Sequence, residues 1–317
     1  MRTLINPREI FFLEKYSSIE YFGEMREIWE RMLVHAESCL DSFMKNIPHN
    51  YRKRALYDQP DIVWGHRVLP NFRNTLQGLN EGFILLTHGD IEGLGYANGP
   101  LNDYKGQLDY PADWMSTPDR NLFDSLVRKA SSMAHKIVLT DEAFWRPPTL
   151  ATYDNKDVPV EFPSHWPTYR INKDILVRTG EKTRVSGIYL PDVEDSCAEF
   201  LSTNRNAAPP AYVLVGFKDL LHPETGEKYD EEPIHEKKEC VWYLVERASD
   251  PDMHSVPSSH DKQGFLRVPS GKPCPETGFY FTPAAPDSRK LFRKGEVMPD
   301  FDTGYGATIW QWDTTQD

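Results

Sequence analysis

Trp145-Arg146-Pro147-Pro148-Thr149 divides the chain into two kinds of sequence. Seven prolines precede residue 147, and eighteen lie between there and residue 317. Proline lacks a backbone donor and breaks helix interiors, so the shift marks a helical region giving way to strands and turns. Upstream, Ser17-Ser18-Ile19-Glu20 has the form of a capping box. It is followed by Phe22, Met25, Trp29, Met32, Ala36, Cys39 and Phe43 at steps of three and four, which predicts one amphipathic helix over about residues 18–45. A second helix is expected from about Asn71 to Leu86, weakened by Gly78 and Gly82. A third is expected from about Pro118 to Leu139, with Thr117 able to cap it and Leu122, Leu126, Ala130, Met133 and Ile137 on one face. Three such faces can form a bundle. Between the second and third helices, His88 to Pro111 holds five glycines and reads as an irregular connection.

Downstream of the proline pair the period changes to two. Asp174 to Pro191 reads as a hairpin turning at Thr179-Gly180-Glu181, and Tyr212–Val215, Cys240–Val245 and Ala307–Trp312 read as strands. Alternation puts Trp310 and Trp312 on one face, as part of either a core or an interface. Laying Gly180 on Gly271, an offset of 91 residues, aligns V-R-T-G-E-K-T-R-V-S-G-I-Y-L from Val177 with V-P-S-G-K-P-C-P-E-T-G-F-Y-F from Val268. The paired glycines are backbone devices, the first for a turn and the second for a bulge or close approach. The expected fold is α+β: a helical region over residues 1–148 followed by a β-rich region over 149–317 with a duplicated hairpin.

The chain has 317 residues, 39% of them apolar, 12% aromatic and 26% charged, which excludes disordered, collagenous and disulfide-framework classes. No apolar run is long enough to cross a membrane, and the N-terminus carries no export signal, so a cytoplasmic protein is expected. The net charge of −12 argues against nucleic acid as a partner. Acid is concentrated late: residues 217–262 hold twelve acidic and six basic residues, including the run Asp230-Glu231-Glu232 with Glu236 nearby. Such a run is a solvated loop or a surface that steers a basic protein partner. Cys39, Cys197, Cys240 and Cys274 form no C-x-x-C, and no histidine is read at zinc-ligand spacing beside any of them, so reduced thiols, no metal and no cofactor are expected.

Phosphate loops, a nucleophile elbow and a zinc-protease helix are all absent. His88-Gly89-Asp90-Ile91-Glu92 is the best acid–base candidate, although a loop of that composition at a helix end more often caps the helix and turns the chain. The eight tryptophans suggest a sugar- or peptide-binding module, set against ordinary core packing.

Near the C-terminus the sequence runs Ser270-Gly271-Lys272-Pro273-Cys274-Pro275-Glu276-Thr277-Gly278-Phe279-Tyr280, then Gly295-Glu296-Val297-Met298-Pro299, then Tyr305-Gly306-Ala307-Thr308-Ile309-Trp310-Gln311-Trp312. This resembles the C-terminal signature of immunity proteins from bacterial polymorphic toxin and type VI secretion systems, S-G-x-P-C-P-x-x-G-x-[WY], G-E-x-M-P and Y-G-x-T-I-W-Q-W. Phe279-Tyr280 departs from it where tryptophan is common, but keeps an aromatic. The resemblance implies an antitoxin without catalysis of its own, which occludes the active site of a cognate toxin acting in the cytoplasm. The acidic charge favours a basic toxin, with Asp230, Glu231, Glu232 and Glu236 as candidate contacts. Gly271, Pro273, Cys274, Pro275, Gly278, Gly295, Glu296, Pro299, Tyr305, Gly306, Trp310 and Trp312 would then serve the fold rather than the contact. The enzyme alternative, reversal of a toxin's product, would rest on His88, Asp90 and Glu92.

Overall fold

The computed structural model describes residues 4–152, 162–163, 165–248, 267–282, 288–300 and 308–313. Helices α1 (Pro7–Tyr16), α2 (Ile19–Lys45), α3 (Pro60–Val63), α4 (Leu69–Thr87), α5 (Asn98–Gln107), α6 (Thr117–Asp141) and α7 (Thr149–Thr152) precede all of the strands, so the chain is α+β. It divides into two compact units, Met1–Ser249 and Asp250–Asp317. Among the described residues, no helix is long and apolar enough to cross a membrane.

The three long helices form where their periodicity places them, but their caps differ from expectation. Ser18 rather than Ser17 caps α2, accepting from the Tyr21 amide at 3.2 Å. Helix α1 ends immediately before it, and Ser17 donates its hydroxyl back to the Leu13 carbonyl (2.7 Å), so the box with Glu20 does not close. Ser116 rather than Thr117 caps α6. The expected irregular connection after α4 is instead a 3-10 run, Ile91–Ala97, leading into α5. Gly82, one of the two glycines that weakened the sequence reading, accounts for this together with Gly93. A Cβ on Gly82 of α4 would lie 2.7 Å from the Gly93 carbonyl oxygen, and one on Gly93 would lie 2.3 Å from that of Gly82. The two backbones touch, which no other residue pair permits.

Among the described residues ten strands follow: β1 (Tyr169–Arg178), β2 (Gly187–Pro191), β3 (Glu199–Leu201), β4 (Ala211–Leu221), β5 (Lys228–Lys238), β6 (Val241–Arg247), β7 (Arg267–Pro269), β8 (Gly278–Phe281), β9 (Lys290–Phe292) and β10 (Ile309–Trp312). In the first unit β1, β6, β2 and β3 form one sheet in that order, and period-two alternation gives it two buried faces. Ile188, Leu190, Phe200 and Val245 join the core of Trp29, Phe72, Phe123 and Met133 supplied by the helices. Tyr189, Leu201, Trp242 and Leu244 form a second, smaller core on the other face. The change of sequence character at 148 therefore separates element types but not cores, and the compact units part at 249.

The turn at Gly180 is present, with φ +86°. Its two arms nevertheless do not pair with each other, because β6 lies between β1 and β2. The second unit repeats this arrangement: its sheet has the order β7, β10, β8, β9, so the last strand in sequence again lies between the first two. Registers agree residue by residue. Val177 pairs with Trp242 as Val268 pairs with Trp310, Tyr189 with Leu244 as Tyr280 with Trp312, and Gly187 with Leu201 as Gly278 with Phe292. Side-chain bonds repeat as well. The indoles of Trp242 and Trp310 donate to the carbonyls of Pro209 and Pro299, each at 2.8 Å, and the hydroxyls of Tyr189 and Tyr280 donate to those of Val185 and Glu276. The duplicated object is thus a four-stranded module rather than a hairpin. Its first turn glycine is at φ +86° or +77°, and its second is a close approach where a Cβ on Gly187 would meet Leu244 at 2.7 Å.

One difference separates the copies. The offset between them is 91 residues for the first three strands but 68 for the fourth, from Trp242 to Trp310. The first copy therefore holds extra chain before its last strand. That chain is the β4–β5 hairpin, a separate two-stranded sheet.

Candidate functional site

The hairpin is an arm. Eleven-residue strands at about 3.3 Å per residue make a ribbon roughly 35 Å long. Its base is fixed to the fold-dividing stretch, where the Arg146 guanidinium lies 3.9 Å from the Tyr212 ring centroid and His235 Nε2 bonds the Pro147 carbonyl. Ala211 and Val213 are buried there, whereas the outer half is open on both faces: Phe217 is 52% exposed and Leu221 54% on one, and Ile234 is 44% exposed on the other. Among the described residues neither edge pairs with a further strand. Charged side chains are one of the devices that keep such edges from aggregating. Residues 211–238 carry seven acids against four lysines.

The four expected contact acids all lie on β5, but not as one patch. Asp230 stands opposite Leu220 and Glu232 opposite Lys218, on one face, while Glu231 stands opposite Asp219 on the other. Like charges directly opposed destabilise a ribbon. Here Lys228 bonds both, reaching Asp219 at 2.8 Å and Glu231, and the two carboxylates in turn hold its ammonium above the usual lysine range. Asp230 and Glu232 thus present their charge away from that bridge. Glu236 opposes Val213 near the base. The acidic residues from Asp250 to Asp261, with His254 and His260, lie outside the described residues.

His88 and Asp90 serve the backbone, and Glu92 takes part through its amide. The His88 ring lies 2.8 Å from the Ile84 carbonyl at the end of α4, and Asp90 accepts from the Glu92 amide at 3.0 Å to start the 3-10 run. The signature residues that can be placed form the second unit's core and turns. Gly271 and Gly295 have φ +77° and +86°. Cys274, Tyr280, Phe292, Met298 and Trp310 are buried together, and the Trp312 ring meets Tyr280 edge-on at 5.1 Å. Pro273 bridges to Val297, and Glu296 accepts from the Arg293 amide. Tyr305 and Gly306 lie outside the described residues. Of the eight tryptophans, Trp29, Trp64, Trp145, Trp242 and Trp310 are fully buried, so core packing accounts for most of them.

Two further features went unread in the sequence. A buried carboxyl, Glu199 on β3, is 3% exposed and is held well above the usual carboxylate range by burial, with Arg205 opposing that shift. Its neighbour along the chain, Ala198, donates its amide to Glu9 of α1 at 3.2 Å, so α1 and β3 are joined beside it. The second feature corrects the expectation that no histidine lies at zinc-ligand spacing beside a cysteine. His35 and Cys39, one turn apart on α2, meet Asp119 from the first turn of α6, and their ligand atoms all lie within 4.8 Å of one another. The H-x-x-x-C spacing on a helix was the available signal; Asp119, eighty residues further on, is joined to it only by the packing of α2 on α6. Cys39 Sγ lies 3.6 Å from His35 Nε2, and burial together with the charge of Asp119 pushes the thiol up to about 11. Trp114 lies between this cluster and an open groove of about 1230 Å³ that Trp64, Tyr110 and Arg54 line.

The chain matches no protein-family model, no curated protein and no solved structure.

Proposed function

We propose that the protein is an immunity protein that binds and neutralises a cognate toxin in the cytoplasm by covering its active site, and that the β4–β5 arm makes the principal contact. One observation carries the reading: of two copies of the same module, only the first holds a long ribbon among the described residues, and that ribbon exposes apolar and acidic side chains on both faces. An unpaired strand edge offers main-chain bonds to a partner strand, and its flanking side chains offer selectivity. The C-terminal resemblance supplies the class of partner, and the acidic excess favours a basic one. No catalytic step is assigned to the chain, and the capping positions of His88 and Asp90 fit that assignment.

The test is affinity capture of the tagged full-length protein from its native cytoplasm, beside a variant whose arm from Phe217 to Pro233 is replaced by Asn-Gly. Full-length protein is expected to elute as a one-to-one complex with the C-terminal domain of a secreted effector, and the trimmed variant alone. A complex that survives trimming removes the arm from the interface. Recovery of bare full-length protein from cells shown to express the effector overturns the immunity reading. Within the arm, Asp230→Asn with Glu232→Gln is expected to slow association severalfold at low salt and little at high salt. Glu231→Gln is expected to have a smaller effect, because Lys228 already compensates that charge.

A further inference from the structure

We propose that His35, Cys39 and Asp119 bind a divalent transition-metal ion of the zinc class, joining the middle of α2 to the first turn of α6. Three observations converge. First, Sγ and Nε2 are 3.6 Å apart. Tetrahedral zinc, with bonds of about 2.3 Å to sulfur and 2.0–2.1 Å to nitrogen, requires those two ligands to be separated by roughly 3.6 Å. Second, a carboxylate from a different helix completes a set whose ligand atoms all lie within 4.8 Å of one another, close enough to share one ion. Asp119 accepts the Ser116 hydroxyl on one oxygen at 2.5 Å, which leaves its other oxygen for a ligand. Third, the three residues line a cavity of about 260 Å³ whose wall includes Ser38 and Ser42, leaving room for a water as fourth ligand. Three protein ligands with one open position is a recurrent zinc geometry, and the mixture of sulfur and imidazole selects against magnesium and calcium.

A cysteine–histidine nucleophile fits the same atoms less well. In such a pair the thiol uses one ring nitrogen and an acid orients the other. Here the thiol and the Asp119 backbone carbonyl, at 2.9 Å, both approach Nε2, so three groups converge on one point. Binding balances simply. The metal displaces the thiol proton, which leaves to solvent; the imidazole gives up the Nε2–H bond it donates to the Asp119 carbonyl, that proton passes by way of solvent to Nδ1, and the freed Nε2 lone pair goes to the ion. One proton is released per ion bound.

The experiment uses the full chain, stripped with a chelator and titrated with cobalt(II) as the probe. The expected result is one equivalent bound, with an intense tetrahedral visible spectrum, a near-ultraviolet sulfur-to-cobalt charge-transfer band, one proton released in weak buffer, and loss of the spectrum when zinc is added. Cys39→Ser is expected to abolish the charge-transfer band and weaken binding at least about 100-fold, beyond the 10- to 100-fold that outer partners command. Asp119→Asn, which can keep the Ser116 bond, retains the band with about 10-fold weaker binding. Circular dichroism establishes that both variants are folded. Full-length protein without a thiolate band, a pale octahedral spectrum, or a band that persists in folded Cys39→Ser would each overturn the site.

Discussion

The two four-stranded modules share strand order, register and the hydrogen bonds of their central tryptophan and tyrosine, yet they are built into the protein in different ways. The first is buried on both faces: helices cover one, and a core of its own around Trp242 covers the other. The second relies on a core of six buried residues, Val268, Cys274, Tyr280, Phe292, Met298 and Trp310. The shared features are those that backbone geometry demands. The differing ones, a buried glutamate and a long ribbon, are those free to serve something other than the sheet.

The largest expected effect distinguishes the two cores. Trp242→Ala and Trp310→Ala each remove a buried indole and its bond to a proline carbonyl, at a cost of about 3–5 kcal/mol. Trp310→Ala is expected to unfold only the second unit, and Trp242→Ala to lower the first unit's transition, as followed by urea denaturation with limited proteolysis. Identical single transitions in both variants would mean that the units are not separately stable.

An intermediate effect concerns equivalent positions with opposite chemistry: Glu199 opposes Tyr189 where Lys290 opposes Tyr280. Burial raises the Glu199 carboxyl, so the folded chain holds a proton that the unfolded chain releases. Its contribution is full below the unfolded value of about 4.3 and falls by about 1.4 kcal/mol per pH unit as pH rises towards the folded pKa. Glu199→Gln should flatten the first unit's loss of stability as pH rises from 5 to 8. Glu9, also raised by burial, and Asp141, raised to about 6, leave a residual slope of the same sign. A slope unchanged in Glu199→Gln would exclude this carboxyl as its source. The smallest effect is on the fold when the arm is trimmed from Phe217 to Pro233. Its outer side chains are exposed, so the melting temperature should shift by an amount equivalent to less than about 1 kcal/mol. A larger loss would show that the ribbon supports the module.

Periodicity and breakers made much of this legible. The step pattern from Phe22 to Phe43 placed α2, and the density of prolines after residue 146 placed the change to strands. The paired glycines located the duplication, because φ near +80° admits few other residues. Strand order was hidden. Which strand lies between β1 and β2 is decided by β6, more than fifty residues later, and no local pattern encodes such a pairing. Gly82 was misread for the same reason, since it is explained only by the backbone of Gly93. At the candidate sites, acid content marked the arm, but strand alternation split Asp230 and Glu232 from Glu231. His35 and Cys39 were within reach of a sequence reading; Asp119 required the packing of α6 on α2.

The position of the arm has a consequence for how the chain can change. Val177 and Trp242 are separated by 65 residues along the chain, and Val268 and Trp310 by 42. Loop-closure entropy grows only logarithmically with length, so pairing the first module's first and last strands across the longer interval costs only about 0.4 kcal/mol more. The connection before the closing strand is therefore a place where chain can lengthen, shorten or be exchanged with little penalty to the sheet it interrupts. An equivalent connection, between Pro299 and Thr308, exists in the second copy, giving the molecule a spare position of the same kind.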